Sequence, residues 1–176
     1  MIFKETEFKG VYLIEIEPIG DERGFFARSF CRKEFETHGL NPCVAQCNVS
    51  YNRAKGTLRG MHYQVAPHEE AKLVSCLFGS IYDVIIDLRP DSATYCKWLA
   101  VELRAHEIEK MIYVPEGFAH GFQTLEDDTK VFYQISTFYE PGSARGIRWD
   151  DPAFGIIWPQ GPRKLSDRDK SYPDFV

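Results

Sequence analysis

Hydrophobic and polar positions alternate with a period of two along much of the chain. In the segment 81–89, every second residue from Tyr82 to Leu88 is apolar, whereas Asp83 and Asp87 fall on the opposite face. The same alternation recurs in the segments 12–16, 98–104 and 130–138. Successive side chains of a strand point to opposite sides, so this pattern predicts β-strands.

Turn signals separate the predicted strands, at Gly20-Asp21, Gly79-Ser80, Arg89-Pro90-Asp91, Glu126-Asp127-Asp128 and Pro141-Gly142. Helix is predicted only over 32–40, with a glycine stop at its end, and a helical turn within 165–172. The sequence contains no internal repeat, low-complexity stretch or linker. We therefore predict a single domain over residues 1–176, mostly β, built as a sandwich, jelly roll or small barrel.

Composition and charge narrow the function classes. Hydrophobic residues make up 44% and aromatic residues 14% of the 176 positions, which is typical of a folded chain. A net charge of −5 and a pI near 5.6 argue against nucleic acid or an anionic membrane as partner. No apolar run approaches the roughly 20 residues of a membrane span, and the first ten residues lack the apolar core of a signal peptide. We expect a cytoplasmic protein.

The cysteines and the basic residues add two expectations. Five cysteines are an odd number without repeated CxxC spacing, so we expect reduced thiols rather than disulfides or a zinc site. Basic residues accumulate in the first half of this acidic chain, where they could form a local anion site. They are Arg23, Arg28, Arg53, Lys55, Arg59 and Lys72.

Two histidines lie in similar glycine- and aromatic-rich segments, His62 in GTLRGMHYQ (56–64) and His120 in VPEGFAHGF (114–122). A metal site is disfavoured, because Gln64 interrupts an HxH pair and His68 follows a proline, in a predicted loop. Two ordinary buried imidazoles remain an alternative. The third interpretation is proton transfer, for which imidazole is suited at neutral pH.

Proton transfer by His62 requires a carboxylate behind the ring and an acid on the other side of the substrate. Spacing alone does not choose among the candidate carboxylates, which are Asp83, Asp87, Asp167 and Asp169. Tyr133, on an alternating strand, is a candidate acid. Arg59 would point away from His62 on a regular strand, unless Gly60 permits a bulge. From the residues alone, the prediction is a β-barrel with a polar, cationic cavity.

Six motifs in order resemble the dTDP-4-dehydrorhamnose 3,5-epimerase family over roughly residues 5–170. They are GDERGFFARSF (20–30), GTLRGMHYQ (56–64), AKLVSC (71–76), VPEGFAHGF (114–122), the pair Tyr133/Tyr139 and LSDRD (165–169). The resemblance implies a cupin-type jelly roll with a few short helices, and a homodimer in which N-terminal strands cross to the partner. It also implies a metal-free isomerase without a redox cofactor.

The implied reaction converts dTDP-4-dehydro-6-deoxy-D-glucose to dTDP-4-dehydro-L-rhamnose, on the way to rhamnose for cell-surface polysaccharide. Both inverted carbons, C3 and C5, flank the C4 ketone, so loss of a proton gives an enolate. By correspondence with the family, His62 is the base, Asp169 its carboxylate partner and Tyr133 the acid. Lys72 corresponds to the cation near the C4 oxygen. The implied substrate-binding residues are Arg23, Phe26, Arg28, Gln46, Asn48, Arg59, His120 and Tyr139.

The chain departs from the family pattern at Arg28, Cys47 and Ala144, each of which replaces an acidic residue near the nucleotide. The reaction type is therefore better supported than the base, and thymidine is the default expectation. The alternatives are an epimerase acting at one centre or on another nucleotide sugar, a sugar 3,4-ketoisomerase, and a nucleotide-sugar-binding cupin without catalysis. A metal-dependent cupin oxygenase is disfavoured by Gln64.

Overall fold

The computed structural model describes residues 1–105 and 110–175, and strands dominate it. In chain order the strands are β1 (Ile2–Glu5), β2 (Tyr12–Glu15), β3 (Ile19–Asp21), β4 (Gly24–Phe26), β5 (Gln46–Asn52), β6 (Leu58–Gln64), β7 (Lys72–Phe78), β8 (Ser80–Asp87), β9 (Trp98–Arg104), β10 (Lys110–Val114), β11 (Phe118–Thr124), β12 (Thr129–Ile135) and β13 (Ala144–Gly146). The helices of the described residues are α1 (Arg32–Thr37) and α2 (Asp167–Lys170). The predicted all-β class with a few short helices is confirmed.

Two antiparallel sheets form a sandwich, as the jelly-roll prediction requires. The first sheet has the spatial order β1-β2-β10-β7-β12-β5, and the second has the order β13-β6-β11-β8-β9. Strands β3 and β4 pair with each other in a separate two-stranded ribbon. No described helix is long and apolar enough to cross a membrane.

The hydrophobic core occupies the space between the sheets and also both outer faces. Between the sheets, β8 contributes Ile81 and Ile85, which pack against residues such as Val74 of the first sheet. On the outer face of the first sheet, Phe35 of α1 is buried, and the segment 147–158 covers the second sheet. Strand β8 is therefore buried on both faces.

The two aspartates of β8 are fully buried, although the sequence pattern set them apart from the apolar face of this strand. Asp83 and Asp87 share the inner face of β8 with the core residues Ile81 and Ile85, and both are 0% exposed. Asp87 is neutralised at the strand end, where its carboxylate accepts hydrogen bonds from Arg89 and from two hydroxyl groups. A buried carboxylate needs such partners, so the hydrogen bonds of Asp83 are described with the cavity below.

Candidate active site

A cavity of about 690 Å³ opens between the two sheets, with β5, β12 and β7 on one wall and β13, β6 and β11 on the other. Its size lies within the roughly 300–1,000 Å³ that is typical of small-ligand sites. Cations outnumber carboxylates in the lining, which suits an anionic ligand. The charged and imidazole side chains are Arg59, His62, Glu70, Lys72, His120, Arg145, Lys164, Arg168 and Asp169.

Arg59 and His62 both line this cavity, although strict alternation would place them on opposite faces of β6. Three positions separate them on β6, whereas only two positions separate their pairing partners on β11, so β6 contains one extra residue. Gly60 lies in this bulge with φ +130°, and a Cβ there would be 2.5 Å from the Cα of Gly121. The glycine bulge thus brings a cation and an imidazole to the same side of one strand.

His62 forms a hydrogen-bonded pair with Asp169, whose Oδ1 is 2.7 Å from Nε2 of the ring. Asp169 lies in α2, and its carboxylate also accepts hydrogen bonds from the Ser166 side chain and the Gly60 amide. Burial by itself raises the pKa of Asp169, but these three hydrogen bonds outweigh burial and hold the pKa below its usual value. The ionised carboxylate accepts the Nε2 hydrogen, so Nδ1 of His62 is the basic nitrogen.

A second imidazole–carboxylate pair lies beside the first, because His62 and His120 are directly opposite each other on β6 and β11. Nε2 of His120 is 2.8 Å from Oδ2 of Asp83 on β8. The side chains of this pair are 5% and 0% exposed, against 43% and 6% for His62 and Asp169. Oδ1 of Asp83 is buried and makes no hydrogen bond with any residue that the structure describes.

Tyr133 enters the cavity from β12, in the sheet that faces His62. Its hydroxyl oxygen is 3.2 Å from Oγ of Ser50, and its ring meets the edge of the His120 ring at a centroid distance of 6.2 Å. Burial raises the pKa of Tyr133 far above its usual value, the hydrogen bond with Ser50 opposes this, and the negative charge of Asp83 adds to it. The phenol therefore stays protonated at neutral pH.

Lys72 extends into the cavity from β7, next to the strand segment that carries His62. Its Nζ is 2.9 Å from Oε1 of Glu70 and donates a hydrogen bond to the His62 carbonyl oxygen at 3.3 Å. Both side chains of the Lys72–Glu70 pair are largely buried. The ammonium group is consequently held within the cavity rather than in bulk solvent.

Polar contacts order the remaining lining. Nε of Arg59 donates to Oδ1 of Asn52 at 2.7 Å, and the Tyr139 amide donates to Oε1 of Gln46 at 3.1 Å. A hydrogen bond with the Tyr139 phenol is the main cause that raises the pKa of Arg168. The predicted substrate-binding residues that line the cavity are Gln46, Asn48, Arg59, His120 and Tyr139.

Comparison with known proteins places this chain in one family. A sequence profile described as dTDP-4-dehydrorhamnose 3,5-epimerase matches residues 5–176. The chain belongs to the dTDP-4-dehydrorhamnose 3,5-epimerase family. A relative of that name from Shigella flexneri is 42% identical over 173 residues, which cover 98% of this chain and 94% of the relative.

Solved structures that bear the family name superimpose on nearly the whole chain. The enzyme from Elizabethkingia anophelis is 39% identical, with a TM-score of 0.95 over 99% of this chain and 96% of the other. The enzyme from Bacillus anthracis, solved with TDP and PPi bound, is 40% identical, with a TM-score of 0.94 over 99% and 100%. The resemblance, the fold and the isomerase class predicted from the six motifs are confirmed.

Three residues that were predicted from the sequence to bind substrate lie outside the cavity of this chain. Arg23 and Phe26 are on the exposed β3–β4 ribbon, and Arg23 forms an ion pair with Asp21. Arg28 forms an ion pair with Glu34 of α1. Within the described chain, these side chains do not join His62.

The structure adds lining or supporting residues that were not selected from the sequence, among them Arg145 and Lys164 of the cavity lining. Ser50 and Asn52 are on β5, two and four positions after Asn48, so extending the alternation from Asn48 would have found both. Glu70 precedes Lys72 by two positions but lies outside β7, so strand alternation gave no signal for it. Arg168 adjoins Asp169 in α2, and only the tertiary structure places it in the cavity.

The epimerase-family cavity contains no ready metal site in the chain as described. Among residues 1–105 and 110–175, no three His, Cys, Asp or Glu side chains are grouped as metal ligands. Gln64, which interrupts the HxH pattern, donates to the carbonyl oxygens of His68 and Phe138 and accepts from the Glu140 amide. Its amide is therefore occupied by backbone groups.

Proposed function

We propose that the protein epimerises dTDP-4-dehydro-6-deoxy-D-glucose at C3 and C5, giving dTDP-4-dehydro-L-rhamnose. The observation that carries this proposal is the arrangement of one cavity, with the His62–Asp169 pair on one wall and the Tyr133 phenol on the other. A base and an acid on opposite walls can remove a proton from one face of a carbon and return one to the other face.

In the proposed first step, Nδ1 of His62 takes a proton from the carbon next to the C4 ketone. The hydrogen bond from Nε2 to ionised Asp169 keeps Nδ1 free and stabilises the imidazolium that forms. Negative charge develops on the ketone oxygen as the enolate forms. The ammonium of Lys72, held in the cavity by Glu70, stabilises that charge.

In the second step, Tyr133 donates its hydroxyl proton to the opposite face of the same carbon, which leaves an imidazolium at His62 and a phenolate at Tyr133. Proton exchange with solvent returns both groups to their starting forms before the other carbon is inverted. The raised pKa of Tyr133 supports this role, because a group that remains protonated at neutral pH has a proton to give. Ser50, within hydrogen-bonding distance of the phenol oxygen, orients it. No electrons are transferred overall, so the chemistry needs no redox cofactor.

The cationic part of the cavity is proposed to bind the diphosphate and the nucleoside. Arg59, Arg145, Lys164 and Arg168 supply positive charge, and guanidinium groups match phosphate oxygens through paired hydrogen bonds. Tyr139 offers an exposed aromatic face for stacking against the base. The TDP bound in the Bacillus anthracis relative supports a nucleoside diphosphate as the ligand class.

A homodimer is part of the proposal and accounts for Arg23, Phe26 and Arg28. Ile19, Phe25 and Phe26 of the β3–β4 ribbon are 74%, 61% and 76% exposed, which is unusual for large apolar side chains on a short ribbon. A second subunit would cover them, and the ribbon with the segment that follows it would bring Arg23, Phe26 and Arg28 toward the partner's nucleotide. Size measurement of the purified protein in solution tests this.

We also propose a cytoplasmic location and thymidine as the base. All five cysteines are unpaired, and Cys43 and Cys47 are exposed, which fits a reducing compartment. Of the three positions that depart from the family pattern, Ala144 lines the cavity, Cys47 is exposed on β5 and Arg28 pairs with Glu34. The choice of thymidine is tested by comparing the activity on nucleotide sugars that differ only in the base.

Proton NMR of dTDP-4-keto-6-deoxyglucose in D₂O, with the purified protein, tests the function. We expect loss of the H3 and H5 signals, together with a product that a rhamnose-forming reductase accepts. Loss of one signal alone would identify a single-centre epimerase, and movement of the ketone would identify a ketoisomerase. Binding without exchange between about pH 5 and 9, where a histidine base titrates, would favour a binding protein.

A further inference from the structure

We propose that Asp83 is a positioning residue, which holds His120 in the tautomer whose Nδ1 accepts a hydrogen bond from a hydroxyl group of the bound hexose. The inference rests on the proposed function, because the hexose is the substrate proposed above. It assigns a role to a carboxylate outside the cavity lining, and it specifies which kind of sugar group His120 recognises.

The geometry of the pair fixes the donor and the acceptor. The His120 ring lines the cavity, whereas its Nε2 points to Oδ2 of Asp83, which is 2.8 Å away and fully buried. A carboxylate accepts hydrogen bonds, so the hydrogen of the neutral ring resides on Nε2. Nδ1 makes no hydrogen bond with a described residue and is left as an acceptor for a ligand.

Packing does not explain a carboxylate at position 83. Its neighbours on the inner face of β8, Ile81 and Ile85, are core residues, and Oδ1 of Asp83 is buried without a hydrogen-bond partner among the described residues. A buried polar atom without a partner destabilises the folded state. Asp87 on the same face is saturated by Arg89, Ser92 and Thr94. The contrast points to a function for Asp83 through its one partner, His120.

The chemistry of the substrate supplies the matching group. A 4-keto-6-deoxyhexose linked through C1 has hydroxyl groups only at C2 and C3, and these are its hydrogen-bond donors. The ketone and the diphosphate are acceptors, which suit the cations of the cavity. Because His120 is the cross-strand neighbour of His62, its acceptor nitrogen lies beside the base and so beside the carbon that loses its proton.

The first test reads the tautomer in the ligand-free protein by long-range ¹H–¹⁵N NMR. We expect the hydrogen on Nε2 of His120 in the wild type. In Asp83→Asn, the amide NH₂ can donate to Nε2, which moves the hydrogen to Nδ1, the same reversal that abolishes a triad histidine's function. Asp87→Asn, equally buried on the same strand face, should leave the His120 signals unchanged.

The second test compares kcat/KM for the substrate with the C5 deuterium-exchange efficiency of its 2-deoxy and 3-deoxy analogues. In the wild type, removal of the recognised hydroxyl should cost about 100-fold or more, because the acceptor is left unpaired. For Asp83→Asn, kcat/KM on the normal substrate should fall by about 100-fold. Removing the recognised hydroxyl group from the substrate should then reduce the efficiency of this variant little further. Asp87→Asn should keep the wild-type pattern.

The outcomes separate the inference from the function on which it rests. A wild-type ring protonated at Nδ1 with a bare Nε2 would overturn the inference, as would an Asp83→Asn variant that behaves like the wild type or loses the same factor on all three sugars. The tautomer of His120 is read in the wild-type protein, so this test stands even if a variant does not fold. Failure of the proposed function would appear differently, as a wild type with the expected tautomer and no proton exchange.

Discussion

Two imidazole–carboxylate pairs lie side by side on β6 and β11, and their surroundings differ. His62 is 43% exposed, and Asp169 has additional hydrogen bonds from Ser166 and the Gly60 amide. His120 is 5% exposed, and Asp83 has an oxygen without a partner among the described residues. The first pair therefore combines a stable carboxylate with an accessible ring, and the second combines a poorly satisfied carboxylate with a buried ring.

The difference teaches that the same two residue types can serve two purposes. A base must reach its substrate and then carry a positive charge, which the ionised, well-bonded Asp169 supports. A recognition group needs a fixed hydrogen-bonding pattern and no change of charge, which burial favours. The contrast supports the roles proposed above, proton abstraction by His62 and recognition of a hydroxyl group by His120.

The largest effect should follow from Asp169→Asn, which keeps the size of the side chain and removes its charge. By analogy with the aspartate of a catalytic triad, we expect kcat to fall by about 10³- to 10⁴-fold, because the His62 tautomer becomes wrong. Deuterium exchange into the substrate measures this. Asp167→Asn, in the same helix and fully exposed, is the matched control and should retain activity. A wild-type rate in Asp169→Asn would contradict the proposal that the His62–Asp169 pair abstracts the proton.

Tyr133→Phe should separate the two proton transfers. Proton removal by His62 should continue, while inversion should slow by about 10²- to 10⁴-fold because the opposite acid is missing. The ratio of deuterium exchange to product formation is the measurement. Tyr113→Phe is the control, since Tyr113 is also buried and has a pKa raised by burial to about 12, but it lies outside the cavity. Normal inversion by Tyr133→Phe would contradict the assigned acid.

A smaller effect on catalysis is expected from Arg168→Gln, next to Asp169 of the His62–Asp169 pair. Loss of one cation at the proposed diphosphate site should raise KM about 10-fold and leave kcat nearly unchanged, because the interaction is made equally in ground and transition states. Steady-state kinetics at fixed ionic strength check this. Arg32→Gln, whose side chain pairs with Glu36 far from the cavity lining, should not change KM.

The smallest effects concern stability. The folded-state pKa of Asp169 is lowered, so its contribution is present above the unfolded pKa of about 4 and is lost as pH falls through the folded value. Relative to the wild type, Asp169→Asn should lose about 1–3 kcal/mol of unfolding free energy at pH 7. That difference should shrink below about pH 4, as measured by denaturant unfolding across pH.

Asp83→Asn should behave differently in the same unfolding experiment at pH 7. Since the carboxylate has a buried oxygen without a partner, replacing it should change the free energy of unfolding by less than about 1 kcal/mol, or raise it. A loss as large as that of Asp169→Asn would show that the two pairs are structurally alike.

Much of the fold followed from local patterns. Period-two alternation identified the strand that became β9, and the predicted helix over 32–40 contains α1, followed by Gly39 at φ +70°. Alternation could not tell that β8 is buried on both faces, because a polar residue in the pattern suggests solvent. Asp87 is instead compensated by Arg89, Ser92 and Thr94, which follow it closely in the sequence, whereas the partner of Asp83 is His120, 37 positions away.

The candidate site was less accessible to local reasoning. Arg59 can share the face of His62 only if β6 has a bulge at Gly60, and the bulge is present. The sequence did not distinguish the carboxylate partner of His62 without the family resemblance, since four aspartates qualified. Glu70 and Arg168 gave no signal of their own, because an acidic or basic residue at those positions is equally compatible with the surface.

The His62–Asp169 pair joins positions that are 107 residues apart, and Asp169 arrives on a segment that follows every strand of the sandwich. Leu58 and Gly56 hold this segment through backbone hydrogen bonds with Lys164 and Arg163. During synthesis or refolding, both sheets can therefore assemble before the base has its carboxylate. Proton exchange should therefore appear after the β-sheet signal in a refolding experiment, with catalytic competence acquired later than the sandwich itself.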